Sequence, residues 1–573
     1  MLRVTRITRT SLKVLIFGAF RLVVLARLIP CVVLRTKNHL KINALRSEIF
    51  WLTNICHQQE NAEDCILILS RRLTNCWRIF VAKKLVRIIF VTLWEEDMST
   101  SAVKTLKAKK EINFTSGPLF MPILLFTLPI LATGILQFLY NTADTLIVSN
   151  FAADGEAALA AVTSTGALSN LITGLFIGLS VGASVTLSHS LGAGQDDEAN
   201  DVVHTAITIA AILGVIVGVI GFIACKPLLI MMDSPIDVLD HAALYMRIIF
   251  IGMPAQMVYN YGAALLRAKG DTKRPLYFLM VAGAVNVICN LIFVTVFHLD
   301  GAGVALATII SQYLSAVLVI TRLCRLDDAC KLDLRHLHIA PYLMVKIIKV
   351  GIPAGIQGCL FSVSNVIIQS SVNSFDKIGV AGNGAAGTID GLIYIALNSF
   401  YHAALTFSGQ NLGAREIKRV KKTCYYCLLS VLIIGVPLCL VTYAFGEPLL
   451  NIFLPADGAA NKQAIIEFGM ERMFYTTIFY FLCGLMEVMS GMLRGLGAST
   501  TSMVVSLIGA CAMRVVWVYT IFAEFRTPGS LYISYPISWL ATAIVLYICY
   551  AVILRKIQKR MENPIPPLHH KGA

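Results

Sequence analysis

Asp144 stands near the end of an apolar run that starts around Leu119, in the stretch YNTADTLIVSN. A carboxylate placed in hydrocarbon must be protonated, paired or reached by water, and ionisable groups inside a membrane mark ion and substrate pathways. Gln137 lies seven residues earlier, on about the same helical face. Asn260, the pair Asn286 and Asn290 at i and i+4, and Thr308 bring amide and hydroxyl groups from three further apolar runs. One buried asparagine serves as glue between helices. Several amides on four helices, together with a carboxylate, point to a polar cavity. The competing reading of Asp144 alone is a carboxylate that reaches interfacial water.

The second half of the chain carries different chemistry at related positions. Glu487 and Arg514 fall in neighbouring apolar runs, and an acid and a base buried together most simply neutralise each other. That pair reads as structural or gating rather than ion-coupling. Asp390 and His402, within one further run, are additional candidates for a cavity wall.

Apolar elements must position these groups. The chain of 573 residues is 57% hydrophobic and only 14% charged, with a mean hydropathy of +0.73, against about 45–50% apolar for soluble chains. This is the composition of an integral membrane protein. Runs of the roughly 20 residues that cross a bilayer recur at 119–142, 164–188, 204–224, 244–266, 275–297, 302–322, 345–371, 384–408, 425–446, 471–493, 502–524 and 532–554, giving twelve spans. Alternate connections are rich in Lys and Arg, among them KTLKAKK, RAKGDTKRP, REIKRVKK and RKIQKR, whereas NFAADGEAA and HLDG have almost none. By the positive-inside rule both ends of this core face the cytoplasm. The net charge of +15 follows from that topology and needs no nucleic-acid partner. The cysteines are scattered through apolar runs as small soft hydrophobes, and Cys424 with Cys427 lacks the further ligands of a zinc site.

Residues 1–97 read differently. They hold 16 of the 48 Lys and Arg but 7 of the 33 Asp and Glu, and Arg21 and Arg27 interrupt the one long apolar stretch. The codons of Trp94, Glu95 and Glu96 admit a purine-rich GGAGG just before an ATG for Met98, so the expectation is that translation starts at Met98. A basic extension lying on the membrane surface is the competing view.

The rest is a repeat. LPILATGILQFLYNTAD around Pro129 echoes IPAGIQGCLFSVSNVII around Pro353, an offset of 224; LSHSLGAGQDDEA echoes FSGQNLGAREIKR with Gly192 against Gly413, an offset of 221; YNYGAALLRAKGD echoes MEVMSGMLRGLGA with Arg267 against Arg494, an offset of 227. Asn260 and Glu487 are then equivalent, as are Asn286 and Arg514. Six crossings return the chain to its starting side, so the halves are parallel repeats about an axis along the membrane normal, a transporter architecture. LGAG and LGAR read as glycine-capped ends of spans 2 and 8. Arg267 and Arg494, ending spans 4 and 10, are expected to snorkel to the headgroups.

In order along the chain, Pro129 with Asp144, LGAG, LLRAKGDTKRP, NVICN, GAGVALAT, FSGQNLGA and MEVMSGMLRGLG resemble the multidrug and toxic compound extrusion (MATE) family over about residues 112–560, with MEVMSGMLRGLG most similar to a Gram-positive-type bacterial branch. The resemblance implies an all-α integral membrane fold of twelve transmembrane helices in two six-helix lobes. It places an N-lobe at 98–325, a cytoplasmic linker at 326–345, a C-lobe at 346–560 and a tail at 561–573. It implies multidrug efflux from a bacterial inner membrane, exporting organic cations or other amphipathic drug-like compounds in antiport with H+ or Na+. The chain would act as a monomer among lipids, without a cofactor. The coupling ion, H+ or a Na+ near Asp144, would be held by Gln137, Asp144, Asn260, Asn286, Asn290 and Thr308. Asp144 would be the switch, since ion and drug must prefer different conformations for coupling to arise. Two departures stand out. Asn290 occupies a position where many members have aspartate, and the glutamate that some carry early in span 7 is absent from GCLFSVSN. A flippase of lipid-linked oligosaccharide on the same architecture ranks second. An intramembrane enzyme ranks below both, since H-E-x-x-H, a Walker A loop and paired intramembrane aspartates are missing from the sequence.

Overall fold

The computed structural model describes residues 114–151, 155–231, 236–454 and 461–562. The extension expected over 1–97, and residues 563–573 of the tail, lie outside the described residues.

Among the described residues each of the twelve apolar runs becomes helical, because hydrocarbon offers no partner for a free backbone amide. Helices α1 (Phe120–Phe151), α2 (Gly155–Gly192) and α3 (Asp196–Met231) are followed by α4, which is bent by 48° between Ile236–Ile251 and Met253–Lys269. Pro254, just inside the second piece, explains the break: it has no N–H to continue the ladder. Helices α5 (Lys273–Thr295), α6 (Asp300–Cys324), α7 (Pro341–Val372), α8 (Asp376–Gly413) and α9 (Ile417–Ala444) come next. Then α10, bent by 46°, runs through Lys462–Tyr475 and Tyr480–Gly495, and α11 (Ser499–Phe522) and α12 (Pro528–Glu562) close the chain. With each bent pair taken as one crossing, the described residues hold twelve spans in the order expected. Span 7 opens at Pro341, inside what the sequence assigned to the linker.

The helices pack as two lobes. Helix α5 lies against α1 and α6, and α4 against α3, α2 and α6; on the other side α8 packs on α10 and α9, and α12 on α10. The lobes meet where α2 packs against α7 and α8, and where α1 touches α8. The outer faces stay apolar. On α3, Ile216, Ile220 and Ile223 are all exposed, which suits lipid and would be a liability in water.

The internal repeat extends to single backbone hydrogen bonds. At the end of α4, Gly270 N–H donates to Arg267 O and Asp271 N–H to Leu266 O, both at 2.9 Å; at the end of α10, Gly497 donates to Arg494 at 2.8 Å and Ala498 to Leu493 at 2.9 Å. Each is a Schellman cap turning on a left-handed glycine, with φ 103° at Gly270 and 79° at Gly497. The ends of α2 and α8 repeat the motif: Gln195 donates to Ser190 at 3.0 Å and Glu416 to Asn411 at 2.8 Å. There the left-handed residue is Gly194 in the first half but Arg415, with φ 59°, in the second.

Beyond α6 the chain folds back over the start of α3. Asn200 donates to Lys331 O at 2.9 Å, Asp333 N–H to His204 Nε2 at 3.0 Å and Ala340 N–H to Thr205 Oγ1 at 3.0 Å. Lys269 pairs with Asp328, and His338 meets Asp201 at 3.0 Å.

Candidate functional site

Three helices of the N-lobe bring four of the expected residues into one chain of hydrogen bonds. Asn290 on α5 donates from Nδ2 to Asp144 Oδ1 on α1 at 2.5 Å and to Asn286 Oδ1 at 3.2 Å. Asn286, one turn away, reaches Thr308 Oγ1 on α6 at 3.5 Å, and Thr308 donates in turn to Val304 O at 2.9 Å. The i, i+4 spacing of the two asparagines is what stacks them on one face. Asn286 and Asn290 are buried and Asp144 is half-buried. Ile147, Val148, Val294 and Val304 pack together beside Asp144 and Thr308, so an apolar patch borders the polar chain.

One atom of this cluster has no partner among the described residues: the buried Oδ1 of Asn290. Leaving an amide oxygen unpaired in a low-dielectric interior costs about 1–3 kcal/mol. A carboxylate beside an orphaned amide oxygen is a donor set for a cation or a proton. Because an amide presents N–H on one edge and oxygen on the other, Asn290 can serve Asp144 in either state: Nδ2–H to the carboxylate, Oδ1 to the carboxylic acid.

The remaining N-lobe candidates are not drawn into this chain. Gln137 shares a helix with Asp144 but is exposed, and Asn260 is half-buried; neither hydrogen-bonds to the cluster.

The expected Glu487–Arg514 pair does not form. Arg514 turns instead towards α12, donating from Nε to Ser538 Oγ at 2.8 Å, with its guanidinium 4.2 Å from the centroid of Tyr535 and 5.4 Å from that of Trp539. Aromatic faces hold a guanidinium without a carboxylate. Asp390 is not a free cavity residue. It forms an ion pair with Arg472 at 3.0 Å and accepts from Thr476 at 3.2 Å and from Thr477 at 2.6 Å. This cluster ties α8 to the bend of α10, where Thr476 and Thr477 lie. Arg472, inside the run ERMFYTTIFY, was the visible signal for it: an arginine in an apolar stretch needs a partner.

Arg267 and Arg494 do not snorkel. Arg494 is buried and donates to Tyr401 Oη at 2.6 Å and to Gln357 Oε1 at 2.8 Å, both on C-lobe helices. Arg267 lines a small cavity between the lobes together with His402. Beside these arginines, two contacts join the lobes at equivalent points of the repeat. His189 Nε2 lies 2.7 Å from Gly495 O, and Gln410 donates from Nε2 to Ala268 O at 2.7 Å. His189 matches Gln410 at the offset of 221, and Ala268 matches Gly495 at 227. Both carbonyls stand in the last turn of a capped helix, where a partner from outside is required. The approach is close: a Cβ on Gly192 would stand 2.0 Å from Gln410 O, and one on Gly413 would stand 2.2 Å from His189 O. These contacts close the gap between the lobes on the side of the basic loops.

Twelve membrane-crossing helices in two repeated lobes, with a carboxylate–amide chain in one of them, define a membrane transporter. Known proteins bear this out. The MatE family profile matches residues 129–292 and 353–520, and the chain belongs to that family. It is 25% identical over 414 residues to the probable multidrug resistance protein YpnP of Bacillus subtilis, covering 71% of this chain and 89% of that one. It is 26% identical over 242 residues to an FAD transporter of Shewanella oneidensis, covering 41% of this chain and 53% of that one. Among solved structures, a MOP superfamily transporter from Pyrococcus furiosus, described as having a binding pocket of reverse polarity, superposes with a TM-score of 0.73 at 22% identity, over 78% of this chain and 99% of that chain. The protein is a transporter and not an enzyme, a multi-pass protein of the bacterial cell membrane.

Proposed function

We propose that this transporter exports organic cations and other amphipathic small molecules in exchange for H+ or Na+, with Asp144 as the coupling group. The observation that carries this reading is the hydrogen-bonded chain Asp144–Asn290–Asn286–Thr308 across α1, α5 and α6, with the oxygen of Asn290 left over. An ion arriving at Asp144 neutralises the carboxylate and turns the Asn290 amide, so that Asn290 and Asn286 exchange partners. Since these residues join three helices, the exchange alters how α1 sits against α5 and α6. Coupling then requires that the ion and the drug favour different arrangements of the lobe. The names of relatives, YpnP and the staphylococcal multidrug export protein MepA, support multidrug efflux.

The basic loops lie on the cytoplasmic side in this reading, with both termini of the core there. A single chain surrounded by lipid is the working unit, and its two lobes are joined by the segment 326–340 that precedes span 7 at Pro341.

The test is efflux of a fluorescent organic cation from proteoliposomes, with a proton gradient or a sodium gradient imposed separately. Transport driven by one gradient and lost in Asp144→Asn names the ion. Transport indifferent to both gradients and to the substitution overturns the coupling scheme.

A further inference from the structure

Between the lobes, next to the paired carbonyl contacts, lies a cavity of about 10 Å3, the space of one water-sized particle. Arg267, Ser180 and Ser184 line it from the N-lobe, and His402 and Thr406 from the C-lobe. The arginine has no carboxylate partner and no hydrogen bond among the described residues; its near polar neighbours are the tyrosines Tyr259 and Tyr401. The hydroxyls of Ser184 and Thr406 and the ring nitrogens of His402 likewise have no protein partner among the described residues, although Ser184 and Thr406 are buried. His402 lies within the fields of both Arg267 and Arg494. Arg494 is held by two neutral groups. Among the described residues no acid forms an ion pair with Arg267, which faces the cavity from the N-lobe.

A guanidinium inside a membrane protein needs a counter-charge or a full set of acceptors. The wall supplies donors: the fork of Arg267, two hydroxyls and an imidazole line a space of about one water-sized particle. We infer that this cavity is a site for a single monatomic anion, chloride under physiological conditions, bridging Arg267 and Ser184 of one lobe to His402 and Thr406 of the other. The ion would neutralise the half-buried Arg267 and add a third interlobe contact to the two made by His189 and Gln410. Because its ligands come from both lobes, it binds only when they are closed on the basic-loop side, and it favours that state. The inference does not depend on which cation is coupled.

The experiment compares thermal unfolding of the purified full chain in sodium chloride, sodium bromide and sodium gluconate, with sodium and ionic strength held constant. Chloride and bromide should raise the midpoint by a few degrees over gluconate, saturating with concentration, and Arg267→Gln should abolish the difference. Thr406→Val, which keeps the shape and removes one donor, should shift the halide midpoint to higher concentration. Crystals grown in bromide should show an anomalous peak between Arg267 and Thr406, a result that stands even if Arg267→Gln fails to fold. Equal unfolding in halide and gluconate, a halide effect that survives in Arg267→Gln, or bromide density absent from the cavity would each overturn the site.

Discussion

If the contacts at His189 and Gln410 hold the lobes together, weakening one of them should open the basic-loop side by a calculable amount. Gln410→Leu keeps the volume of the side chain and removes the donor that Ala268 O accepts at 2.7 Å. In the closed state that carbonyl is then buried without a partner, while in an opened state water reaches it. The difference is about 1–3 kcal/mol, which lowers the ratio of closed to open molecules by about 5- to 150-fold. The equivalent change, His189→Leu, removes the partner of Gly495 O. The two substitutions act on the same interface and should combine. Gly413→Ala approaches the same state from sterics: its methyl would stand 2.2 Å from His189 O, and overpacking of this kind costs about 1–3 kcal/mol. Spin labels at the exposed positions Asp197 and Lys418, at the ends of α3 and α9 that lie on this side, report the distance between the lobes. In the parent a single short-distance population is expected; in Gln410→Leu and in Gly413→Ala a longer one should grow. Distance distributions unchanged in Gln410→Leu, in the double variant with His189→Leu and in Gly413→Ala would refute the reasoning.

Two further outcomes follow from the C-lobe and the linker. Arg472→Met leaves Asp390 as an uncompensated charge, a loss of about 3–5 kcal/mol, and should lower the unfolding midpoint markedly, whereas adding Asp390→Leu should recover much of it; equal stability of the parent and Arg472→Met would contradict the ion pair. In the linker, the His336 carbonyl, 3.0 Å from the His338 ring, holds that imidazole above its ordinary range, with Asp201 assisting. A raised value in the folded state means that this contribution is complete below the unfolded imidazole's pKa and is lost as the pH rises through the folded one. Trypsin should therefore cut around Arg335 faster at pH 8 than at pH 6, and His338→Gln should flatten that difference.

Apolar run length and the order of glycines determined the backbone plan. Twelve runs became twelve crossings because hydrocarbon compels any chain that enters it to satisfy its own amides. The glycine-capped end at LGAG was likewise legible, since a Schellman cap depends only on residues within one turn, and the same local signal, unread there, marks Gly270 and Gly497. Even here Arg415 shows the margin: its left-handed φ of 59° repeats the geometry of Gly194 without the residue that makes it easy. The pairing of Asn290 with Asp144, with Asn286 and Thr308 behind them, could be anticipated as a set of polar groups, but not as bonds. Which of these groups meet, and which stay apart like Gln137, was decided by the rotation of each helix about its own axis. The same holds for Arg514, which sits one helix away from both Glu487 and Ser538 and took the hydroxyl and the aromatic faces, and for Asp390, whose partner Arg472 lies 82 residues away. A span's hydropathy is unchanged when the helix turns about its axis, so only packing against neighbouring helices sets the direction in which each polar side chain points.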